Sequence, residues 1–424
     1  MALLIKNGHL VDPGAERDGI YHILVGDNGR ISHIFEGDMP DMQGVRVVDA
    51  DGFYVFPGFT DLHVHFREPG FTKKETIRTG AMAAAHGGFT TVCAMPNTKP
   101  VIDSAEHLQE ELDIIKRDAI VNVLPIGSMT VNQDGMELSD LEGLKKAGAV
   151  AISEDGKSVM DSAILYEGLK RCKELDLPFF DHCEDKSLVR GGVINAGKKA
   201  EVLGLPGITN SVEDSITARD IIFAKEIGTK IHICHVSTKG AAYFVYVGQA
   251  FGADVTAEVC PHHFMLCDDD IPWDDANYKM NPPLRSREDM EYVRSKLADG
   301  TIGMISTDHA PHTATEKKGG FMDSPFGIVG LETAFPLAIT GLLGTMTLPD
   351  IITRMSLNPA KRIGTGKGTL KEGSVADFVI ADLNSEYVID TEKFLSMGKN
   401  TPFSGMKVKG KIIATYVAGR RVYG

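Results

Sequence analysis

FPGFTDLHVHFREPG, residues Phe56 to Gly70, is the stretch on which the fold turns. Its apolar run, opened by Pro57-Gly58, predicts a buried strand. Strand alternation sets Asp61, His63 and His65 on one face and Leu62, Val64 and Phe66 on the other. Two imidazoles separated by a single residue at a strand end stand close enough to share one metal ion. Arg67 continues that face, and its planar fork suits a carboxylate. Taken alone, an HxH pair is more often two satisfied core histidines. The remainder of the chain tips the balance toward an active site.

With 424 residues, the chain has room for one large domain and a smaller one. Apolar and charged fractions of 43% and 24% are ordinary for a globular protein. A formal charge of -14 argues against a nucleic-acid partner, which needs a basic patch. It also means that local cations such as Arg67 must hold any anionic substrate. Cys93, Cys172, Cys183, Cys234, Cys260 and Cys267 form no CxxC pair and suit reduced thiols of a cytoplasmic protein. No apolar run approaches the ~18 residues of a membrane span. The opening MALLIKNGHL lacks a signal-peptide layout.

Residues 1–56 read as short alternating strands broken by Asn-Gly and Asp-Gly turns, and residues 365–424 read the same way. Both ends are therefore expected to build one β domain, a small sandwich. Between them, over 57–364, strand signals alternate with helical periodicity. The expected strands are FTDLHVHF, FTTVCAM, IVNVLPIG, AVAIS, LPFFDH, KIHICHV, ADVTAEV and TIGMIST. Expected helices include Lys73 to His86, DSAEHLQEELDIIKR, MDSAILYEGLKRCKEL and SVEDSITARDIIFAKEIG. Eight β-then-α units match an α/β fold of the (β/α)8 TIM-barrel type. A doubly wound sheet would predict a GxGxxG after the first strand, and none is there.

Chemistry in such a barrel sits at the C-terminal strand ends. Strand one ends in His63 and His65, strand four in Asp155, strand five in His182, strand six in His235 and strand eight in Asp308. Four imidazoles and two carboxylates at one rim exceed a single tetrahedral site. They suit two metals ~3.5–4 Å apart that share a carboxylate and a hydroxide, which is the apparatus of metal-assisted hydrolysis. Asp308 can accept the proton of the attacking water and pass it to a leaving nitrogen. Zinc fits this mixed ligation first. His232 points to the opposite face from His235 on alternation and is assigned a structural place against the helices. Glu154 is expected at the surface or behind the ligands. His262, His263 and His309 receive no ligand role.

FPGFTDLHVHFREPG, AMPNTKP, SEDGKSV, DHCED, HICHVST, EVCPHHF, MNPPLR and STDHAPH resemble, in this order, the signatures of class I dihydroorotases of the amidohydrolase superfamily. The resemblance spans essentially the whole chain. It implies reversible closure of N-carbamoyl-L-aspartate to L-dihydroorotate, a step of pyrimidine biosynthesis. It implies two Zn2+ per subunit, one on His63, His65, Asp155 and Asp308, the other on Asp155, His182 and His235. Asp155 would bridge them where hydantoinases and allantoinases use a carboxylated lysine, a role that Lys157 could fill only as an alternative. The resemblance further implies substrate contacts from His65, Arg67, Asn97, Asn281, His312, Phe326 and Gly327. Of these, Arg67, Asn97 and His312 would hold the free carboxylate. Residues 313–327, rich in Gly and charge, are expected to form a lid.

A cytoplasmic homodimer is expected, with no membrane or nucleic-acid partner and with association to aspartate carbamoyltransferase left open. Two other readings stand beside this one. One is a hydantoinase or allantoinase. The other is a catalytically dead relative that partners aspartate carbamoyltransferase, which the six retained ligands oppose.

Overall fold

The computed structural model describes residues 2–37 and 44–424. Residue 1 and residues 38–43, which fall within the expected terminal β domain, lie outside the described residues.

Among the described residues, five strands precede the barrel: β1 (Leu3–Asp12), β2 (Arg17–Val25), β3 (Ile31–Phe35), β4 (Arg46–Asp49) and β5 (Tyr54–Pro57). The first three form an antiparallel meander, and β4 and β5 lie parallel to β1. Only Gly58 separates β5 from the first barrel strand. A Cβ at this position would meet the Thr90 hydroxyl oxygen at 2.1 Å, so the crossing demands glycine.

The barrel strands follow in chain order: β6 (Phe59–Val64), β7 (Phe89–Ala94), β8 (Asn122–Ser128), β9 (Ala151–Ser153) and β10 (Phe179–Asp181). A short parallel pair, β11 (Ile194–Asn195) and β12 (Gly207–Ile208), interrupts them. The remainder are β13 (Ile231–Ile233), β14 (Val255–Val259) and β15 (Met304–Ile305). Each pairs in parallel with the next. Closure comes from His309, which bridges to Val64 and Ile328 and accepts the His65 N–H at 2.9 Å. The TIM-barrel reading therefore holds, with strands shorter than their apolar runs.

Helices lie between the strands where periodicity puts them, and their ends are set by caps. Thr76 and Thr79 form a capping box that starts the helix Ile77–His86 later than Lys73. Ser104 caps Ala105–Asp118 and Asp161 caps Ser162–Glu174. Gly228, in the left-handed region, ends Ser211–Ile227. Among the described residues no helix is long and apolar enough to cross a membrane. All six cysteines are buried free thiols.

The chain returns to the first sheet through β16 (Phe378–Val388), β17 (Lys407–Val417) and β18 (Arg420–Tyr423). Antiparallel pairing of β16 with β5 joins both chain ends into one mixed sheet, in the order β18-β17-β16-β5-β1-β2-β3. On β17, Val408 and Ile412 are buried between exposed Lys407, Lys409 and Lys411, the alternation of a sheet with one wet face. Phe378 stacks on Tyr416 at 4.5 Å within the core of this module.

Inside the barrel, Leu62, Cys93, Ile126, Ala151, Phe180 and Met304 form one apolar cluster fed by six strands. Phe59, Val64, Phe66, Val92, Ile152, Ile231 and Ile233 join the larger cluster shared with the helices. Simple alternation therefore fails at both histidine strands. The β6–β7 register shifts between Asp61 and Val64, so His63 and Leu62 both turn away from the helical layer. His232 likewise lies toward the barrel interior, 4.8 Å ring to ring from Phe180, and not against the helices. His235 stands beyond β13 at φ 32°, where strand parity no longer applies.

Candidate metal centre

The six expected donors converge. His63 Nε2 lies 3.1 Å from Asp155 Oδ1 and 3.6 Å from Asp308 Oδ1. His65 Nε2 lies 3.1 Å from Asp308 Oδ1 and 3.5 Å from Asp155 Oδ2. His182 Nδ1 is 3.5 Å from Asp155 Oδ1 and 2.9 Å from His235 Nε2. Asp155 thus touches three donors from two other strand ends. All six residues are buried, and His235 and Asp308 hold left-handed backbone at φ 32° and 46°. Such conformations cost on the order of 1–3 kcal/mol for non-glycine residues and persist where surrounding structure enforces them.

Three atoms of this cluster, His63 Nε2, Asp155 Oδ1 and His235 Nδ1, are buried without a well-directed hydrogen bond. Two triads, His63–Asp155–His235 and His63–His65–Asp308, each bring their donor atoms within 4.8 Å of one another. Unsatisfied buried donors of mixed imidazole and carboxylate type are what a divalent cation would saturate. The residues present fit a metal. The electrostatics agree. Burial disfavours charge on His63, but Asp155 outweighs it and holds the imidazole well above its usual range. Asp155, despite burial, is held well below the carboxylate range by His63 and His182. Burial, with His182 and His63 as neighbouring charges, pushes His235 well down.

The surrounding contacts fix tautomers. His63 Nδ1 faces Glu258 Oε1 at 3.1 Å, and the other Glu258 oxygen lies 3.0 Å from His232 Nε2. His65 Nδ1 faces Asn97 Oδ1 at 2.9 Å, while Asn97 Nδ2 donates to Asp155 Oδ2 at 3.0 Å. The Asn97 amide, expected to meet a substrate carboxylate, therefore spans two of the donors. Asn281 donates to Glu184, and its Nδ2 lies 3.4 Å from His182 Nε2. Lys157 is exposed, whereas Asp155 faces the donors. Glu154 is buried, accepting from Ser128 and Thr130, and is neither a surface acid nor part of this cluster.

Beside the donors stands a cationic pocket. Arg67, at φ 62°, donates through Nε to the Pro311 carbonyl at 3.4 Å, and its terminal nitrogen lies 3.5 Å from His312 Nε2. Among the described residues no carboxylate lies within 4.0 Å of this guanidinium. His312 is oriented by two contacts. Its Nε2 donates to the Phe326 carbonyl at 2.8 Å, and Nδ1 faces the Lys74 ammonium at 3.3 Å. Burial, with Arg67, Lys74 and Lys317 nearby, lowers it to about 3, so the ring is neutral. Gly327 adjoins it. A Cβ there would lie 2.8 Å from Ala310 Cβ and 3.1 Å from His312 Nε2.

The loop expected as a lid is tied down. Lys317 Nζ donates to the carbonyls of Lys279, Pro325 and Gly327, and Lys279 Nζ donates to those of Phe321 and Ser324. Sequence reasoning missed these lysines and the Glu258–His232 pair. An acid set between Ala257 and Val259 near the end of the strand ADVTAEV is the signal for Glu258. The lysine staples carry no local signal, since their acceptors are backbone carbonyls.

The model of the dihydro-orotase-like family matches residues 52–241. A dihydroorotase of Bacillus subtilis (strain 168) is 46% identical over 425 residues, covering 100% of this chain and 98% of its own. One from Geobacillus sp. (strain WCH70) is 47% identical over 427 residues, covering 100% and 99%. Among solved structures, the L-hydantoinase (dihydropyrimidinase) from Arthrobacter aurescens matches with a TM-score of 0.89 at 27% identity, covering 99% of this chain and 95% of that one. A D-hydantoinase from Thermus sp. gives 0.84 at 26% identity, covering 99% and 94%.

Proposed function

This chain belongs to the dihydroorotase family of the amidohydrolase superfamily, and from that premise we propose that it interconverts N-carbamoyl-L-aspartate and L-dihydroorotate at the barrel mouth. In closure, the ureido nitrogen bonds to the side-chain carboxyl carbon and water leaves with uptake of a proton. Hydrolysis is the reverse. The proposed cofactor is a pair of zinc ions, one held by His63, His65, Asp155 and Asp308, the other by Asp155, His182 and His235. Such ions, when bound, acidify water toward a pKa of ~7 and polarise a carbonyl oxygen.

The chain's own groups do the rest. Asp308 takes the proton of the attacking water in hydrolysis and delivers it to the leaving ring nitrogen. In ring closure it runs the same transfer backwards. Arg67 receives the free carboxylate of the substrate beside neutral His312, whose Nε2–H passes from the Phe326 carbonyl to the incoming acid, with the Phe326–Gly327 backbone alongside and Asn281 at the ring. Asn97 and His65 complete this wall.

The observation that carries the reading is the pairing of a six-donor cluster with a guanidinium that, among the described residues, has no carboxylate within 4.0 Å. An enclosed cation with no carboxylate in direct contact favours an acidic ligand. A hydantoinase reading, invited by the solved neighbours, would leave Arg67 idle and would need a lysine where Asp155 faces the donors. The deciding assay uses purified zinc-loaded protein with dihydroorotate, hydantoin and allantoin in parallel. Turnover of dihydroorotate alone is expected, and turnover of hydantoin alone would refute the assignment. The reading includes a cytoplasmic homodimer, tested by light scattering. Association with aspartate carbamoyltransferase is tested by co-elution.

A further inference from the structure

The connection between β16 and β17, residues 389–406, belongs to the sheet built from the chain ends, yet it reaches the barrel mouth. Leu395 and Ser396 donate their backbone N–H groups to Glu332 at 2.8 and 2.9 Å. The Ser396 hydroxyl donates to Glu75, whose same oxygen lies 3.4 Å from His309 Nε2, next to Asp308. Four residues further on, Asn400 is 4% exposed and every polar group of its side chain is engaged. Its Oδ1 accepts the His312 backbone N–H at 3.1 Å. Its Nδ2 donates to the Ala310 carbonyl at 3.1 Å and to the Gly327 carbonyl at 3.0 Å. Its own carbonyl accepts from Val329 at 2.8 Å.

One side chain thus ties together the loop after β15 and the far end of the 313–327 segment. These are the two pieces of backbone that present His312 and Gly327. We propose that Asn400 is a positioning residue for the carboxylate pocket, fixing the spacing of His312 and Gly327 opposite Arg67. The inference rests on the reading that these residues receive the substrate acid. It assigns to the terminal sheet a part in substrate recognition, delivered through the connection between β16 and β17.

The physical case is the cost of leaving buried groups unpaired. Without the Asn400 amide, the Ala310 carbonyl and the His312 N–H lose their partners, and the Gly327 carbonyl is left with the Lys317 ammonium alone. The loops then relax, and small displacements of positioning groups carry large kinetic penalties.

The test measures steady-state kinetics with dihydroorotate and zinc content for Asn400→Ala and Asn400→Asp. Asn400→Ala is expected to raise KM about tenfold with kcat within about twofold and zinc unchanged. Asn400→Asp keeps the acceptor for His312 but sets a carboxylate against two carbonyls, so its KM rises at least as much. Being nearly isosteric, it carries the test alone if the alanine variant does not fold. Unchanged KM in a folded variant, or a fall in kcat accompanied by zinc loss, overturns the proposal. Arg67→Lys is run beside them. If its KM is unchanged, the carboxylate-pocket reading itself has failed. If it rises while the Asn400 variants match wild type, only the role of Asn400 has failed.

Discussion

His63 and Glu258 stand 3.1 Å apart, imidazole Nδ1 to carboxylate oxygen, with both side chains fully buried. The acid lies on β14 and the imidazole on β6, across the barrel from each other in sequence by 195 positions. The carboxylate can only accept, so it holds a proton of His63 on Nδ1 and turns Nε2 toward Asp155. A carboxylate–imidazole–metal arrangement of this kind orients the ring and raises its basicity.

Replacing Glu258 with Gln therefore strikes the metal centre without touching a proposed ligand. The amide can offer its NH2 to Nδ1 and favour the wrong tautomer. Zinc affinity, measured by competition with a chelating dye, is expected to fall about 10- to 100-fold. Circular dichroism should remain native. Unaltered affinity would show that the Glu258 contact does not govern the site.

Asp308 is best tested with Asn, not only with Ala. Its φ of 46° lies in the left-handed region, which Asn tolerates better than most residues. Loss of the proton acceptor should lower kcat by about 10²- to 10⁴-fold. The melting temperature should stay close to wild type. Retention of more than a tenth of kcat would remove Asp308 from the proton-transfer role.

Arg67→Lys keeps the charge and loses the fork. KM for dihydroorotate is expected to rise by at least tenfold, with kcat affected less. An unchanged KM would leave the pocket without its principal anion receptor.

Glu111, on the helix Ala105–Asp118, is buried with neither carboxylate oxygen hydrogen-bonded. Burial raises its pKa well above the usual range. Below the unfolded-state pKa of ~4.3 both states hold the proton and the group imposes no pH dependence. As pH rises, the unfolded chain ionises while the folded one keeps its proton, so stability is lost through the folded pKa. Glu111→Leu should raise the melting temperature, and by more at pH 8 than at pH 5. A gap that does not widen with pH contradicts this account.

The chain's periodicity and caps were enough to count the barrel units and to anticipate that both ends share one sheet. Hydrophobic alternation and turn chemistry are local, so β1, β17 and the helix Ser162–Glu174 could be read directly. His63, His65, Asp155, His182, His235 and Asp308 were legible for a related reason: each stands at the end of a recognisable strand, and the fold sends all such ends to one rim.

Face assignments fared worse. The register shift between Asp61 and Val64 and the left-handed turn at His235 break the parity on which those assignments relied. Glu258 beneath His63, Asn97 astride His65 and Asp155, the lysines that staple residues 313–327, and Asn400 behind His312 were decided by tertiary structure alone. Apart from the Lys317 bonds to Pro325 and Gly327, 8 and 10 positions away, each joins groups 32 to 195 positions apart through a hydrogen bond only a few ångströms long. Nothing in a local stretch of sequence encodes such a bond, because the partner's position is fixed by how the whole barrel closes.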